Sequence, residues 1–121
     1  KYYEFARDWN IYETINRGID ISVKVQLKSV IDPALADTML TDAITALLEN
    51  LPIEGELDYS DIINALYGVY YNSDVLVDSV DEMTLTTIDQ AGVTHTLSSP
   101  GTLTLDSNEV WVPGTITIGI V

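Results

Sequence analysis

Asp32-Pro-Ala-Leu-Ala-Asp-Thr-Met-Leu-Thr-Asp-Ala-Ile-Thr-Ala-Leu-Leu48 and, after a short polar linker, Asp58-Tyr-Ser-Asp-Ile-Ile-Asn-Ala-Leu-Tyr-Gly-Val69 decide the architecture. The first reads as a helix with Asp32 as N-cap and Pro33 at the first helical position, where a missing N–H costs nothing. Ala36, Leu40, Ala43, Ile44, Leu47 and Leu51 recur at spacings of three and four, with Asp37, Thr41, Asp42, Thr45 and Glu49 on the other side. Pro52 disfavours helical geometry in Leu51, so the helix is expected to end near Asn50. The second starts at Tyr59 or Ser60, capped by Asp58 or Ser60, and turns Ile62, Ile63, Leu66 and Val69 inward. Gly68 is placed to close it in the left-handed conformation, and the linker is expected to turn around Gly55.

Before these helices, Ile19 to Lys28 alternates almost strictly, with Ile19, Ile21, Val23, Val25 and Leu27 against Asp20, Ser22, Lys24, Gln26 and Lys28. That pattern is a strand in a sheet covered on one side. After them, Val75–Val80, Met83–Ile88, Val93–Leu97, Thr102–Leu105, Val110–Val112 and Thr115–Val121 are short β-favouring runs. Asp81-Glu82, Gln90 to Gly92, Ser99 to Gly101, Asp106 to Asn108 and Pro113-Gly114 separate them. The order predicts an α+β fold: two amphipathic helices packed on one face of a mostly antiparallel sheet, in strand-helix-helix-strands order. Residues 1–18 form an aromatic-rich lead segment, and residues 19–121 a single domain. In the lead segment a helix over Glu4 to Asn16 is expected, ending at Gly18 with Arg17 near its negative end. Lys1 opens without methionine and Val121 stops inside a strand pattern, so the sequence reads as part of a longer polypeptide.

Composition bounds the function. With 121 residues, 46% hydrophobic and 20% charged, the chain suits one globular core that removes about two-thirds of the unfolded surface from water. Nineteen acidic against five basic residues give a formal net charge of −14, which repels nucleic acid and anionic lipid and favours a basic neighbour. There is no cysteine, hence no disulfide, thiolate metal site or cysteine nucleophile. No run approaches the roughly 18 apolar residues of a membrane span.

His95 is the single histidine, on a strand face shared with Val93 and Leu97, and no nucleophile-elbow motif accompanies the serines. Asp74, Asp78, Asp81 and Glu82 gather around one strand and turn, and Asp37, Asp42 and Glu49 on one helix face. Neither group carries the aromatic and glycine surroundings of a glycosidase cleft, so both read as solvated surface. Asp106-Ser-Asn108-Glu109 opens like an oxygen-ligand calcium loop, but Val110-Trp-Val112 breaks the EF-hand pattern; a non-motif calcium site of clustered carboxylates is the remaining metal reading. No catalytic, cofactor-binding or metal-ligating residue is assigned, no cofactor is expected, and the chain reads as non-enzymatic.

Three stretches resemble the C-terminal region of phage baseplate J-like proteins, structural subunits of the baseplate wedge in contractile-tailed phages and related injection machines. They are Ile19-Asp-Ile-Ser-Val-Lys-Val-Gln-Leu-Lys28 before a proline-started helix, Gly55-Glu-Leu-Asp-Tyr-Ser-Asp-Ile-Ile-Asn-Ala-Leu-Tyr-Gly-Val69, and the ending Asn108-Glu-Val-Trp-Val-Pro-Gly-Thr-Ile-Thr-Ile118. The likeness covers Ile19 to Val121 and is best over Gly55 to Val69. Tyr70-Tyr-Asn-Ser73 and the long Val93 to Thr102 stretch depart from it. It implies a non-catalytic assembly module of a contractile tail baseplate, in which Tyr59, Ser60 and Gly68 set helix ends. Implied partners are other baseplate or tail subunits, with self-association in the assembled baseplate. No nucleic acid, membrane span or small-molecule substrate is implied. The implied location is the virion tail, with the host cytoplasm before assembly. The alternative from composition is an extracellular glycan- or protein-binding module, with Trp9 and Trp111 as stacking faces.

Overall fold

A computed structural model describes residues 14–28 and 30–121. The sheet is built on β1 (Ile15–Leu27), whose odd-numbered side chains from Ile19 to Val25 are fully buried and whose even-numbered ones face solvent. Two helices follow, α1 (Pro33–Glu49) and α2 (Tyr59–Tyr67), with the two-residue strand β2 (Leu57–Asp58) just before α2. Then come β3 (Tyr70–Tyr71), β4 (Asp74–Val75), β5 (Val77–Ile88), β6 (Thr94–Leu97), β7 (Thr102–Leu103) and β8 (Glu109–Ile120). The main sheet runs β6-β5-β1-β8, antiparallel except for the parallel pair β1/β8, and both helices pack on one face of it. The α+β order expected from the sequence is the order observed.

Asp32 caps α1 through its carboxylate, which accepts from the Ala34 N–H at 3.1 Å. Asp32→Ala is expected to lower unfolding free energy by about 1 kcal/mol in urea denaturation, the usual worth of such a cap. The buried row of α1 is Ala36, Leu40, Ile44 and Leu48, a pure four-residue repeat, while Ala43, Leu47 and Leu51 are half-buried at its rim. In α2, Tyr59, Ile62 and Leu66 are buried and Ile63 and Val69 half-buried. Tyr59 donates its hydroxyl to the Met83 carbonyl at 3.3 Å, tying α2 to β5.

Several expected details are corrected. Residues 4–13 of the expected lead helix lie outside the described residues, but Ile15 to Gly18 is strand, because β8 supplies a ladder partner beginning with the Ile15 N–H to Asn108 carbonyl bond at 2.8 Å. Gly68 closes α2 with φ −82°, in right-handed rather than left-handed geometry. In the linker the left-handed residue is Glu54 (φ 62°); Gly55 is needed for space, since a Cβ there would lie 2.9 Å from the Pro52 carbonyl oxygen.

Asp81-Glu82 and Pro113-Gly114 do not separate strands. Val25 pairs with Val80 and Lys24 with Glu82, so Asp81 is an extra residue in one continuous β5, and Asp78 is skipped in the same way. Ile19 pairs with Pro113 and Ile21 with Ile116, which places Gly114-Thr115 in a bulge within β8. Each bulge absorbs an inserted residue and keeps the inward face in register. Gly114 lies against Asp20 Oδ1 and the Ile19 carbonyl, leaving no room for a Cβ, and the Asp20 carboxylate accepts the Thr115 N–H at 2.9 Å. Asn72 and Ser73, at φ 52° and 66°, form the tight turn joining β3 to β4.

Candidate functional site

At the end of the sheet where β1 begins, the inward row changes from apolar to polar: Arg17 on β1, Thr87 on β5 and Glu109 on β8 are all buried. The guanidinium of Arg17 meets Glu109 in a two-point pair, Nε to Oε2 at 3.0 Å and Nη2 to Oε1 at 2.6 Å. Nη2 also donates to Asp106 Oδ2 at 3.1 Å, and the guanidinium carbon stands 6.0 Å from the centroid of the Trp111 ring. Burial raises the pKa of the Glu109 carboxyl, but the Arg17 bonds and the Asp106 N–H, 2.6 Å from Oε1, outweigh it and hold the pKa below its ordinary value. Trp111 donates its indole N–H to the Gly55 carbonyl at 2.9 Å, so the linker between the helices is tied to the same cluster.

Above this cluster lies a cavity of about 200 Å³ whose walls include Arg17, Thr87, Asp89, His95 and Asp106. His95 and Asp89, six residues apart, are brought together at 2.8 Å by the β5–β6 hairpin. Asp89 Oδ1 accepts from the Ala91 and Val93 N–H groups, both at 2.9 Å. The carboxylate therefore organises the loop as an Asx turn and holds the imidazole with its other oxygen. The His95 bond, then the backbone donors, set the Asp89 pKa below 3.8. Because the folded value is depressed, the loop bonds are complete above the ordinary pKa and are lost as pH falls through the folded one. The protection factors of the Ala91 and Val93 amides are expected to hold through the ordinary carboxylate range and to fall in stronger acid, and Asp89→Asn should remove that acid dependence.

A nucleophilic relay needs a hydroxyl on the histidine. Thr87 instead donates to the Gly18 carbonyl at 2.8 Å, and Thr102 to Asp58 at 2.6 Å. Each of these hydroxyls closes a backbone or cap contact, and the Asp89–His95 pair closes a turn. Among the described residues no group of three or more histidine, aspartate or glutamate side chains stands together as a metal-ligand set. Asp106 and Glu109, the two carboxylates of the calcium-like stretch, both face Arg17.

Three of the acidic candidates around β4 and β5 meet separate partners. Asp74 lies 3.9 Å from Lys28 and Glu82 3.6 Å from Lys24, while Asp81 takes hydrogen bonds from Gln26 and Ser79, all on exposed surface. Trp111 is core, which withdraws it as a stacking face for a glycan; Trp9 lies outside the described residues. Sequence reading missed the Arg17–Glu109 pair. The signal was parity: Arg17 continues the inward row of Ile19 to Val25, and Glu109 precedes Trp111 by two.

No family model matches the sequence, and a search of curated proteins returns no match. Among the described residues no helix is long and apolar enough to cross a membrane.

Proposed function

We propose that the chain is a non-catalytic structural assembly module of a contractile phage, or phage-like, tail baseplate. It works among other baseplate or tail subunits and associates with further copies of itself in the virion. The observation that carries this reading is the continuity of the three baseplate-like stretches in one unit. The first is β1, the second leads into and spans α2, and the third is β8, which lies directly beside β1. β8 pairs in parallel with β1 along most of its length, and a unit tied together in this way suits contacts with neighbouring subunits. The polar groups around the cavity support the same reading, because their hydrogen bonds are spent on turns, caps and an internal ion pair.

The test is assembly. Mixed with the tail proteins encoded beside it, the chain is expected to sediment in a multi-subunit complex and to appear at the baseplate by electron microscopy of labelled particles. Sedimentation as a lone 13.3 kDa species in every mixture would remove the proposal.

A further inference from the structure

A strand at a sheet edge offers a row of unpaired N–H and C=O groups, which proteins shorten, cover, charge or block with proline. The edge at β6 is only four residues long. The other edge, β8, has 12 residues, and its two halves are treated differently. In the first half the Asn108 carbonyl accepts from Ile15, so the peptide groups of Glu109, Trp111 and Pro113 point away from β1. The Glu109 carbonyl is taken by the Glu54 N–H at 2.8 Å, the linker also holds the Trp111 indole, and Pro113 has no N–H to offer. This half is closed.

The bulge at Gly114-Thr115 reverses the parity. Beyond it the Val121 N–H reaches the Val25 carbonyl at 2.9 Å, so Thr117, Gly119 and Val121 bond to β1 while the N–H and C=O groups of Ile116, Ile118 and Ile120 point outward. No described strand lies beyond them. Thr115-Ile-Thr-Ile-Gly-Ile120 contains no charge and no proline, and its three isoleucines are half-buried at the rim of the core. Apart from the bulge that opens it, none of the usual protections is present in this half among the described residues.

Charge selects what can occupy it. Arg17, Lys24 and Lys28, the basic side chains among the described residues, each stand beside a carboxylate, and the whole chain carries −14. A second copy approaching this edge is repelled, whereas a basic segment is drawn in. We propose that the outer edge of Thr115–Ile120 receives an extended segment of a basic partner protein as an added strand. The segment alternates apolar residues, which extend the row of Ile116, Ile118 and Ile120, with lysine or arginine facing solvent. This deepens the assembly reading by naming the chemistry of one neighbour.

The probe is the capped peptide Lys-Val-Lys-Val-Lys-Val, added to the isotope-labelled chain with amide exchange followed by NMR. Exchange at Ile116, Ile118 and Ile120 is expected to slow about tenfold or more, with Thr117 and Gly119 unchanged because they already bond to β1. Glu-Val-Glu-Val-Glu-Val and the equally charged Lys-Pro-Lys-Pro-Lys-Pro should have no effect. Ile118→Pro removes an outward N–H without touching the β1 ladder and should abolish the protection. Thr117→Lys, on the solvent face beside the edge, should weaken binding about threefold by like-charge repulsion even if the proline variant does not fold. Absence of protection at the three amides, equal protection by the acidic or proline peptide, or pairing of this edge with a second copy overturns the proposal. If the peptides fail while the chain still sediments with its tail neighbours, only the edge is wrong and the assembly reading stands.

Discussion

Replacing Arg17 with alanine is expected to lower the unfolding free energy by about 3–5 kcal/mol. The reason lies in what stays behind. Arg17 and Glu109 are 3% and 2% exposed, so Arg17→Ala leaves a carboxylate buried without its cation. Asp106, half-exposed, can turn to water, whereas Glu109 cannot. Urea denaturation at pH 7 gives the magnitude. The double substitution Arg17→Met with Glu109→Leu removes both charges together and should recover most of the loss, since a well-packed apolar pair is often as stable as a buried ion pair. The pH dependence provides an independent check. The folded pKa of Glu109 is depressed below its ordinary value of 4.5, so the contribution of the pair is complete above that value and declines as pH falls through the folded one. The gap between wild type and Arg17→Ala should therefore narrow in acid. A gap that widens below pH 4 would contradict this account of the pair.

Trp111→Ala is expected to cost a similar amount, about 3–5 kcal/mol, by a different route. Among the described residues Trp111 is the largest fully buried side chain, and its indole N–H holds the Gly55 carbonyl. Truncation leaves a cavity under Arg17 and releases the linker between α1 and α2 from the first half of β8. Trp111→Phe retains most of the packing and loses the hydrogen bond, so it should cost about 1–3 kcal/mol from the stranded carbonyl. Denaturation of both variants separates the two contributions. Because Trp111 and Arg17 touch, the double variant Arg17→Ala with Trp111→Ala should be less destabilised than the two losses added. The same substitutions bear on function. In the assembly reading, Trp111→Ala weakens association only in proportion to the fraction unfolded; a defect in the fully folded population would make Trp111 a contact residue.

The helices were legible because their information is local. Asp32 and Pro33 start α1 by satisfying or omitting N–H groups within one turn, and the Asp61 carboxylate accepts the Asp58 N–H at 3.3 Å at the start of α2. The alternation of Ile19 to Val25 likewise needs no partner to be read, since consecutive side chains on any strand point to opposite faces. The strand boundaries were less legible. Asp81-Glu82 and Pro113-Gly114 have turn composition, yet each lies in a bulge, and whether such a pair ends a strand or bulges it depends on the neighbouring strand. The tight turn at Asn72-Ser73 was missed for a related reason: its flanking strands are only two residues long and give no alternation to detect.

The amino-acid order by itself determined the class of fold, the faces of β1 and of the two helices, and the net charge of −14. Those properties follow from periodicity, caps and net charge, which act over a few residues or over the whole chain. Only the tertiary structure decided that Ile15 to Gly18 is strand rather than helix, that Arg17 is a buried partner of Glu109 92 residues away, that Asp89 and His95 close a turn, and that no described strand pairs with the outer edge of the second half of β8. Each of these depends on which strands become neighbours and in what register, and the local pattern of a strand shows which face a residue takes but not which strand it will meet.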